Sequence, residues 1–335
     1  MTMQSIGDLA QSFSLRRQSV ELNRQMDRLT QELSTGRAAD LSAHLSGDLV
    51  QLADIERALD VQVAHRGAAR SAATDAALMQ AALEQIQDTS TSLASSAILV
   101  GSDSSSTAIP ALATEARGAL ETIIASLNGT SAGRSLFAGN RVEQPPLSSA
   151  DVLMDQLRTA LSGAVTGAEI RQGLDTFFDA PDGAFATSVY QGGIGDLSAV
   201  ALGSGESVRL SIRADDPVLR AQIKETALTA LLDDDALALA PGLRSELARD
   251  AGTNLLASQT GLTQLRADLG FAEERVARAE SRISSELSSL EIARNTLTSI
   301  DPSATAGELQ QVQFQLEALY TLTARASRLS LANFL

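Results

Sequence analysis

The two ends of the chain carry narrow apolar stripes of the same kind, and these stripes restrict the possible folds more than any other feature. Near the N-terminus a seven-residue rhythm, with Ser19 as its one polar member, joins Leu15, Leu22, Met26, Leu29 and Leu33. Near the C-terminus steps of three and four residues join Leu309, Val312, Leu316, Leu319, Thr323 and Ala326. A narrow apolar stripe on a polar helix requires a partner helix. We therefore expect either that the two ends meet or that both ends join other subunits.

The last residues of the chain are strongly apolar. The stripe continues through Leu329 and Leu331 to Phe334 and Leu335. Chain termini fray unless they dock onto something. Burial of this tail is therefore expected, either within the chain or in a neighbouring molecule, and the sequence leaves both alternatives open.

The composition favours long helices that pack along thin seams. Hydrophobic residues make up 44% of the chain, whereas aromatic residues make up 3%, and tryptophan is absent. The net charge is −15, and Lys224 is the single lysine among 26 basic residues. Dispersed arginines on an acidic chain do not form a basic footprint for nucleic acid, so nucleic-acid binding is excluded. The lack of cysteine excludes disulfides and thiolate chemistry.

No stretch approaches the roughly 20 consecutive apolar residues of a membrane span, so we expect no membrane insertion. Residues Met1 to Gln18 have no apolar core segment and no small-residue cleavage site, unlike a secretory signal peptide. The chain is therefore expected to be either cytoplasmic or exported by a route that cleaves no signal.

Glycine and proline mark the inner ends of the two terminal helices. Gly36 follows a leucine-rich turn, which is a common helix stop. Asp301-Pro302 ends the long helical pattern that precedes it, because proline cannot continue the backbone ladder. A last helix is expected beyond Pro302, with Ser303 or Thr305 as its N-cap.

The middle of the chain changes character. Between Ala180 and Pro217 glycine clusters surround an alternating run, in which Val208, Leu210 and Ile212 share one face, and this pattern predicts a small β-hairpin element. Helical patterns flank this segment, with a break expected at Pro241-Gly242. The expected fold is mainly α: an elongated antiparallel helical bundle or coiled coil formed by both chain ends, with a small α+β insert in the middle.

No constellation of residues points to catalysis, a metal or a cofactor. His44 and His65 are 21 residues apart and have no acidic cluster at ligand spacing. The acidic runs Asp215-Asp216 and Asp233-Asp234-Asp235 lack the alternation, the central glycine and the terminal glutamate of a calcium loop. No nucleophile elbow accompanies the abundant serines. We expect a protein that is not an enzyme.

Four motifs resemble the bacterial flagellin superfamily, and they occur in the family's order. LTQELSTGR at Leu29–Arg37 is similar to the ending of the family's N-terminal helix, and SLFAG at Ser135–Gly139 is similar to the motif that closes the first half of its core. VYQGG at Val189–Gly193 resembles a turn of the variable domain, and Gln313–Leu335 with its SLANFL tail resembles the C-terminal helix. The segment Ala38–Gly47 departs from the loop that family members usually carry there.

Within the superfamily, LFAG and the C-terminal tail are most similar to the proteins of the hook–filament junction. The resemblance implies a structural component of the bacterial flagellum, an adaptor that polymerises through its terminal helices into a ring. Its partners would be a neighbouring hook-associated protein, flagellin and an export chaperone at the C-terminal helix. The chain would be extracellular and exported without a cleaved signal. A filament flagellin and a soluble exported coiled-coil scaffold or effector are the alternatives.

The resemblance also suggests a division into five segments. These are a coiled-coil assembly helix at 1–33, the first half of a helical core at 34–140, a variable middle domain with β-hairpin elements at 141–250, the second half of the core at 251–300, and a second assembly helix at 301–335. The residues expected to join subunits lie in the two outer segments: Leu22, Met26, Leu29, Leu33, Leu309, Val312, Leu316, Leu319, Leu329, Leu331, Phe334 and Leu335.

Overall fold

The computed structural model describes residues 6–102, 108–235, 237 and 239–332, with side chains described from residue 10 to residue 325 within those ranges. The described chain is mainly helical, which confirms the expected fold class. Its α-helices, numbered in chain order, are α1 (Ile6–Thr35), α2 (Leu41–His44), α3 (Val50–Ser102), α4 (Ile109–Leu127), α5 (Ala150–Ala160), α6 (Gly167–Phe178), α7 (Pro217–Leu231), α8 (Pro241–Thr298) and α9 (Pro302–Ala332).

The described residues also contain two short antiparallel hairpins and one π-helical turn. Strand β1 (Thr130–Ser131) pairs with β2 (Arg134–Ser135), and β3 (Val200–Gly203) pairs with β4 (Glu206–Val208). A π-helical turn covers Phe185–Val189. The predicted hairpin of the middle segment is thus present, although strand β4 ends at Val208, earlier than the alternating pattern does.

Contacts between residues divide the chain into two compact units. Unit 1 comprises Met1–Val63 and Ser285–Leu335, and unit 2 comprises Ala64–Ser284. Helices α3 and α8 contribute residues to both units. The five segments expected from the sequence were defined by sequence character and not by contacts, so that division stays a prediction.

In unit 2, α3 and α8 run antiparallel in close contact. Gln87 accepts a 2.6 Å hydrogen bond from Arg266 Nη1, while Gly252, earlier in α8, lies beside Ala94, later in α3. A Cβ at Gly252 would lie 2.8 Å from the Ala94 carbonyl oxygen, so glycine is what allows the two backbones to approach. This pair forms one wall of the core of unit 2.

Helix α7 lies inside unit 2 and is buried along most of its length, against α4, α5 and α6. Two of its buried polar side chains make hydrogen bonds to neighbouring helices. Glu225 accepts hydrogen bonds from Arg171 (2.8 Å) and Asn254 (3.2 Å), and Gln222 Nε2 donates to Ser258 Oγ at 2.6 Å. Because a buried charge is tolerated only when it is paired, these contacts fix the position of α7 against α6 and α8.

Arginines of α8 hold the β3–β4 hairpin. Arg275 Nη2 donates to the Ser207 carbonyl at 2.6 Å, and Arg282 Nη1 donates to Glu206 Oε2 at 2.8 Å. The ring of His65, on α3, lies against Gly203. His65 therefore packs beneath this hairpin.

The expected break in the helical pattern is present, but it lies before Pro241 and not at Pro241-Gly242 itself. Helix α7 ends at Leu231, and Pro241 is the first residue of α8, which then continues to Thr298. Proline is well tolerated at the first helical position, because its missing N–H would have no partner there. Proline here begins a helix and does not interrupt one.

Candidate functional site: the terminal helix pair

Helices α1 and α9 pack against each other within unit 1. The amide of Ile300, just before α9, donates a 3.2 Å hydrogen bond to the carbonyl of Gly36, just after α1. The end of α1 therefore lies beside the start of α9, and the two helices run antiparallel from that point. The two apolar stripes of the sequence thus belong to neighbouring helices.

The stripes meet in one hydrophobic cluster. Its buried members are between 3% and 7% exposed, and they are Leu22, Leu29, Val312, Leu316 and Leu319. Leu15, Met26 and Leu309 pack against them and are partly buried. In this part of the stripes, the two chain ends therefore meet within one chain. This is one of the two alternatives that the sequence left open.

The remaining predicted assembly residues lie outside this cluster. Leu33 is 40% exposed, so the buried stripe of α1 ends at Leu29. Leu329 and Leu331 lie in α9, but their side chains fall outside the described residues, as do Phe334 and Leu335 altogether. That the predicted assembly residues join subunits therefore stays a prediction.

The outer faces of the pair carry large apolar side chains that our sequence reasoning missed. They are exposed by half or more: Phe13 (76%), Val20 (50%), Phe314 (72%), Tyr320 (56%) and Leu322 (59%). Val20 precedes Leu22 by two residues, which turns it roughly 200° away from the buried stripe. The seven-residue spacing of Phe13 and Val20 was the available signal, because it places both on one face.

The inner end of the pair is tied to α8 through the backbone. Arg37 and Ser299 form an isolated antiparallel bridge, and the amide of Ala38 donates to the Thr298 carbonyl at 2.9 Å. Gly36, at φ +70°, adopts the left-handed conformation that ends α1, as the sequence predicted. The chain segments that lead away from α1 and towards α9 therefore run side by side.

The N-cap of α9 is Asp301, so the expectation of Ser303 or Thr305 is wrong. Asp301 Oδ1 accepts hydrogen bonds from the amides of Ser303 (2.8 Å) and Ala304 (3.2 Å). Thr305 is buried, and its hydroxyl donates to the Asp301 carbonyl at 2.9 Å. Because Pro302 occupies the first helical position, the residue before it is the one whose side chain reaches the free amides.

A polar crevice of about 400 Å³ lies where α1, α2 and α9 meet. Its acidic and basic side chains are Arg28, Glu32, Asp40, His44, Asp301 and Glu308. Three of the carboxylates are already engaged in ending or starting helices: Asp301 caps α9, Asp40 caps α2 through the Ala43 amide (3.0 Å), and Glu32 accepts from the Ala39 amide (3.0 Å). Within the described residues no group of three or more potential ligands could hold a metal ion.

The acidic runs form ion pairs within unit 2. Asp234 Oδ2 accepts a 2.6 Å hydrogen bond from Arg158 Nε, and Asp233 pairs with Arg244 at 3.3 Å. The bond to Asp234 is the main cause that raises the pKa of Arg158. Asp215 binds Arg213 at 2.8 Å. These carboxylates serve the fold of unit 2.

Two of the family-like motifs interlock in unit 2. The amide of Gly193 donates to the Ala138 carbonyl, and the amide of Asn140 donates to the Gly195 carbonyl, both at 2.8 Å. Gly139, at φ +57°, has no room for a side chain, since a Cβ would lie 2.6 Å from the Gly195 carbonyl oxygen. The LFAG and YQGG motifs thus form a single structural node.

Tyr190 anchors this node. Its hydroxyl donates to the Gly193 carbonyl at 2.9 Å, and the side chain is 9% exposed. Burial is the main cause, and the negative charge of Asp215 the second, that raises the pKa of Tyr190 to about 12. The phenol therefore stays a neutral hydrogen-bond donor over the whole physiological range.

Among the described residues, no helix combines the length and the apolar character that a membrane crossing requires.

Comparison with known proteins agrees with the C-terminal motif. Residues 255–335, which include most of α8 and all of α9, match the bacterial flagellin C-terminal helical region. A solved structure assigned to a flagellar hook-associated protein of Vibrio parahaemolyticus is 14% identical, over 72% of this chain and 96% of that chain, with a TM-score of 0.43. A structural similarity of that size is too low to support a conclusion about this chain. No curated protein matches the chain. The similarity to bacterial flagellins is thus established for the C-terminal helical region, residues 255–335.

Proposed function

We propose that this protein is an adaptor at the junction of the flagellar hook and filament, and that it polymerises through α1 and α9. The observation that carries the proposal is the pairing of the two chain ends in one antiparallel seam, whose α9 side lies in the flagellin C-terminal helical region. We expect a helix pair that is formed by both chain ends, as in a flagellar subunit, to join one copy of the chain to the next.

The outer faces of the pair support this proposal. Phe13 and Phe314 are each more than 70% exposed, on the faces turned away from the buried seam. Burial of apolar surface stabilises association by about 25 cal/mol per Å². A helix pair with one thin seam is only marginally stable alone, so contacts of these outer faces with neighbouring subunits would stabilise it.

Deletion of residues 326–335 tests the proposal. The truncated monomer should remain folded, because the core of unit 2 lies within 64–284. It should fail to enter flagella, and the cells should lose motility. A matched control is Gln310→Ala, which changes an exposed polar residue of α9 and should assemble normally. Normal flagella from the truncated protein would overturn the proposal.

The location of the protein separates this function from the alternatives. Immunogold labelling of isolated flagella should mark a narrow band between hook and filament. Labelling along the whole filament would identify a filament flagellin instead. A soluble exported scaffold would label neither, and its terminal helices would resist protease in the free monomer.

The proposed route to that location is export without a cleaved signal, aided by a chaperone that covers α9. The purified extracellular protein should therefore retain its N-terminal residues, which N-terminal sequencing or intact mass would detect. A chaperone on α9 should protect the Leu309–Leu319 stretch from hydrogen exchange, and a complex with unchanged exchange there would contradict this part of the proposal.

A further inference from the structure

One loop of unit 2 displays a large apolar side chain almost completely. Ile194 is 92% exposed, the highest value among the large apolar side chains of the described residues. An isolated exposed apolar residue is common in proteins and by itself indicates nothing. The loop that carries Ile194 is distinguished by how firmly its backbone is held.

Hydrogen bonds fix this loop at three successive carbonyl groups. The carbonyl of Ile194 accepts from Arg213 Nη1 at 3.2 Å. The carbonyls of the glycines on either side accept from the Tyr190 hydroxyl (2.9 Å) and from the Asn140 amide (2.8 Å). A side chain on a fixed backbone loses little conformational entropy when it binds, which favours its use as an anchor.

A groove of about 500 Å³ elsewhere on unit 2 has the opposite shape. It lies along α6, and its small or apolar lining residues are Ala160, Gly173, Phe177, Gly183 and Ala184. Its polar lining residues are Glu169, Gln172, Thr176 and Asp182. A groove with a partly apolar lining can receive one aliphatic side chain from another molecule.

The charges beside the two features are complementary. Arg141 lies next to the loop, since its amide nitrogen is 3.1 Å from the position of a Cβ at Gly193. Arg141 is exposed and forms no ion pair within the described part of the chain, and the same holds for Asp182 at the groove. Two copies of a chain with a net charge of −15 repel each other, so a matched pair of opposite charges selects one mode of contact.

We propose that Ile194 of one copy inserts into the α6 groove of a second copy, with Arg141 facing Asp182. This inference rests on the proposed function, in which copies of the chain assemble with one another. The loop and the groove are different patches, so the contact is heterologous and repeats around a ring or along a helix. It adds a contact through unit 2 to those of the terminal helices.

The absence of cysteine allows a direct test by disulfide trapping. The variants Ile194→Cys and Thr176→Cys are mixed in equal amounts and oxidised. A specific contact should raise the rate of heterodimer formation about tenfold over that of random encounters. The double variant Ile194→Cys/Thr176→Cys should give a ladder of covalent oligomers, since each copy then offers both partners.

Thr114→Cys is the matched control for Thr176→Cys. Both threonines are exposed, both lie in helices, and both hydroxyls donate to the carbonyl four residues earlier, Pro110 and Gln172. Equal trapping of Ile194→Cys by the two partners would overturn the inference. So would an excess of dimers linked through Ile194→Cys alone, because that product requires a different contact.

Charge reversal provides a second, independent measurement. Arg141→Glu should reduce the trapping rate, and Arg141→Glu combined with Asp182→Arg should restore it. Thermal unfolding of each variant checks the fold, and failure of the reversed pair to restore trapping would contradict the charge contact.

Separate labelling of wild-type protein at the hook–filament junction distinguishes this inference from the proposed function. Normal incorporation with control-level trapping would remove the inference alone, and specific trapping without incorporation would remove the proposed function alone.

Discussion

Arg37 and Asn295 are 258 residues apart in the chain, and Arg37 Nη2 donates a 2.8 Å hydrogen bond to Asn295 Oδ1. Together with the backbone bridge between Arg37 and Ser299, this contact fastens the end of α1 to the last turn of α8. Helix α1 therefore ends, and helix α9 begins, at the same fixed point. This point sets the register of the apolar residues that the two helices bury against each other.

Gly36→Ala should destabilise this point. The position has open space around it but a φ of +70°, so the cost is backbone strain of about 1–2 kcal/mol. Hydrogen exchange of the α1 and α9 amides should become faster. Gly307→Ala is the control, since it lies in α9 with open space and an ordinary φ, and alanine there should slow exchange. Equal effects of the two substitutions would contradict the argument.

Leu29→Ala should loosen the terminal pair much more than Leu33→Ala. Leu29 is 3% exposed in the seam, whereas Leu33 is 40% exposed. Removal of a buried leucine side chain costs about 2–5 kcal/mol, and the thin seam places the expected loss near the lower end of that range. Limited proteolysis of the monomer measures the difference as the rate at which α1 is cut. Similar rates for both variants would mean that the seam is not formed in the free chain.

Gly139→Ala should disrupt the node formed by the LFAG and YQGG motifs. The added Cβ would meet two backbone carbonyl oxygens, those of Gly195 at 2.6 Å and Gly193 at 2.8 Å, in addition to the strain of a positive φ. We expect a loss of more than about 3 kcal/mol in the free energy of unfolding, measured with urea. Gly133→Ala shares the positive φ but has open space, so it should cost only about 1–2 kcal/mol.

The titration of Tyr190 predicts how stability changes at alkaline pH. Its pKa is raised from 10 to about 12 in the folded chain, so its contribution to stability is complete below pH 10 and is lost as the pH rises from 10 through 12. Tyr190→Phe should remove this part of the pH dependence. Absorbance at the phenolate band should show ionisation near pH 12 in Tyr320→Phe, where Tyr190 is the remaining tyrosine, and a transition near pH 10 there would contradict the burial argument.

The sequence located the inner ends of the two terminal helices, because the signals there are local. Gly36 stops α1 and Pro302 opens α9, and both act through the backbone conformations that glycine and proline allow. The alternation at Val208, Leu210 and Ile212 predicted a buried face, and all three side chains are buried. Local preference was insufficient at the N-cap of α9, where Ser303 and Thr305 were the expected residues. Asp301 is the N-cap because it directly precedes Pro302.

The sequence alone determined that each chain end is a helix with one thin apolar stripe, since that information lies in the spacing of side chains around a single helix. Only the tertiary structure decided what covers each stripe. Leu29 is 3% exposed and Leu33 is 40% exposed, although a spacing of four residues places both on the same side of α1. The structure likewise made one node of two motifs about 50 residues apart, because hydrogen bonds such as that from Gly193 to Ala138 join backbone groups whose pairing no local pattern encodes.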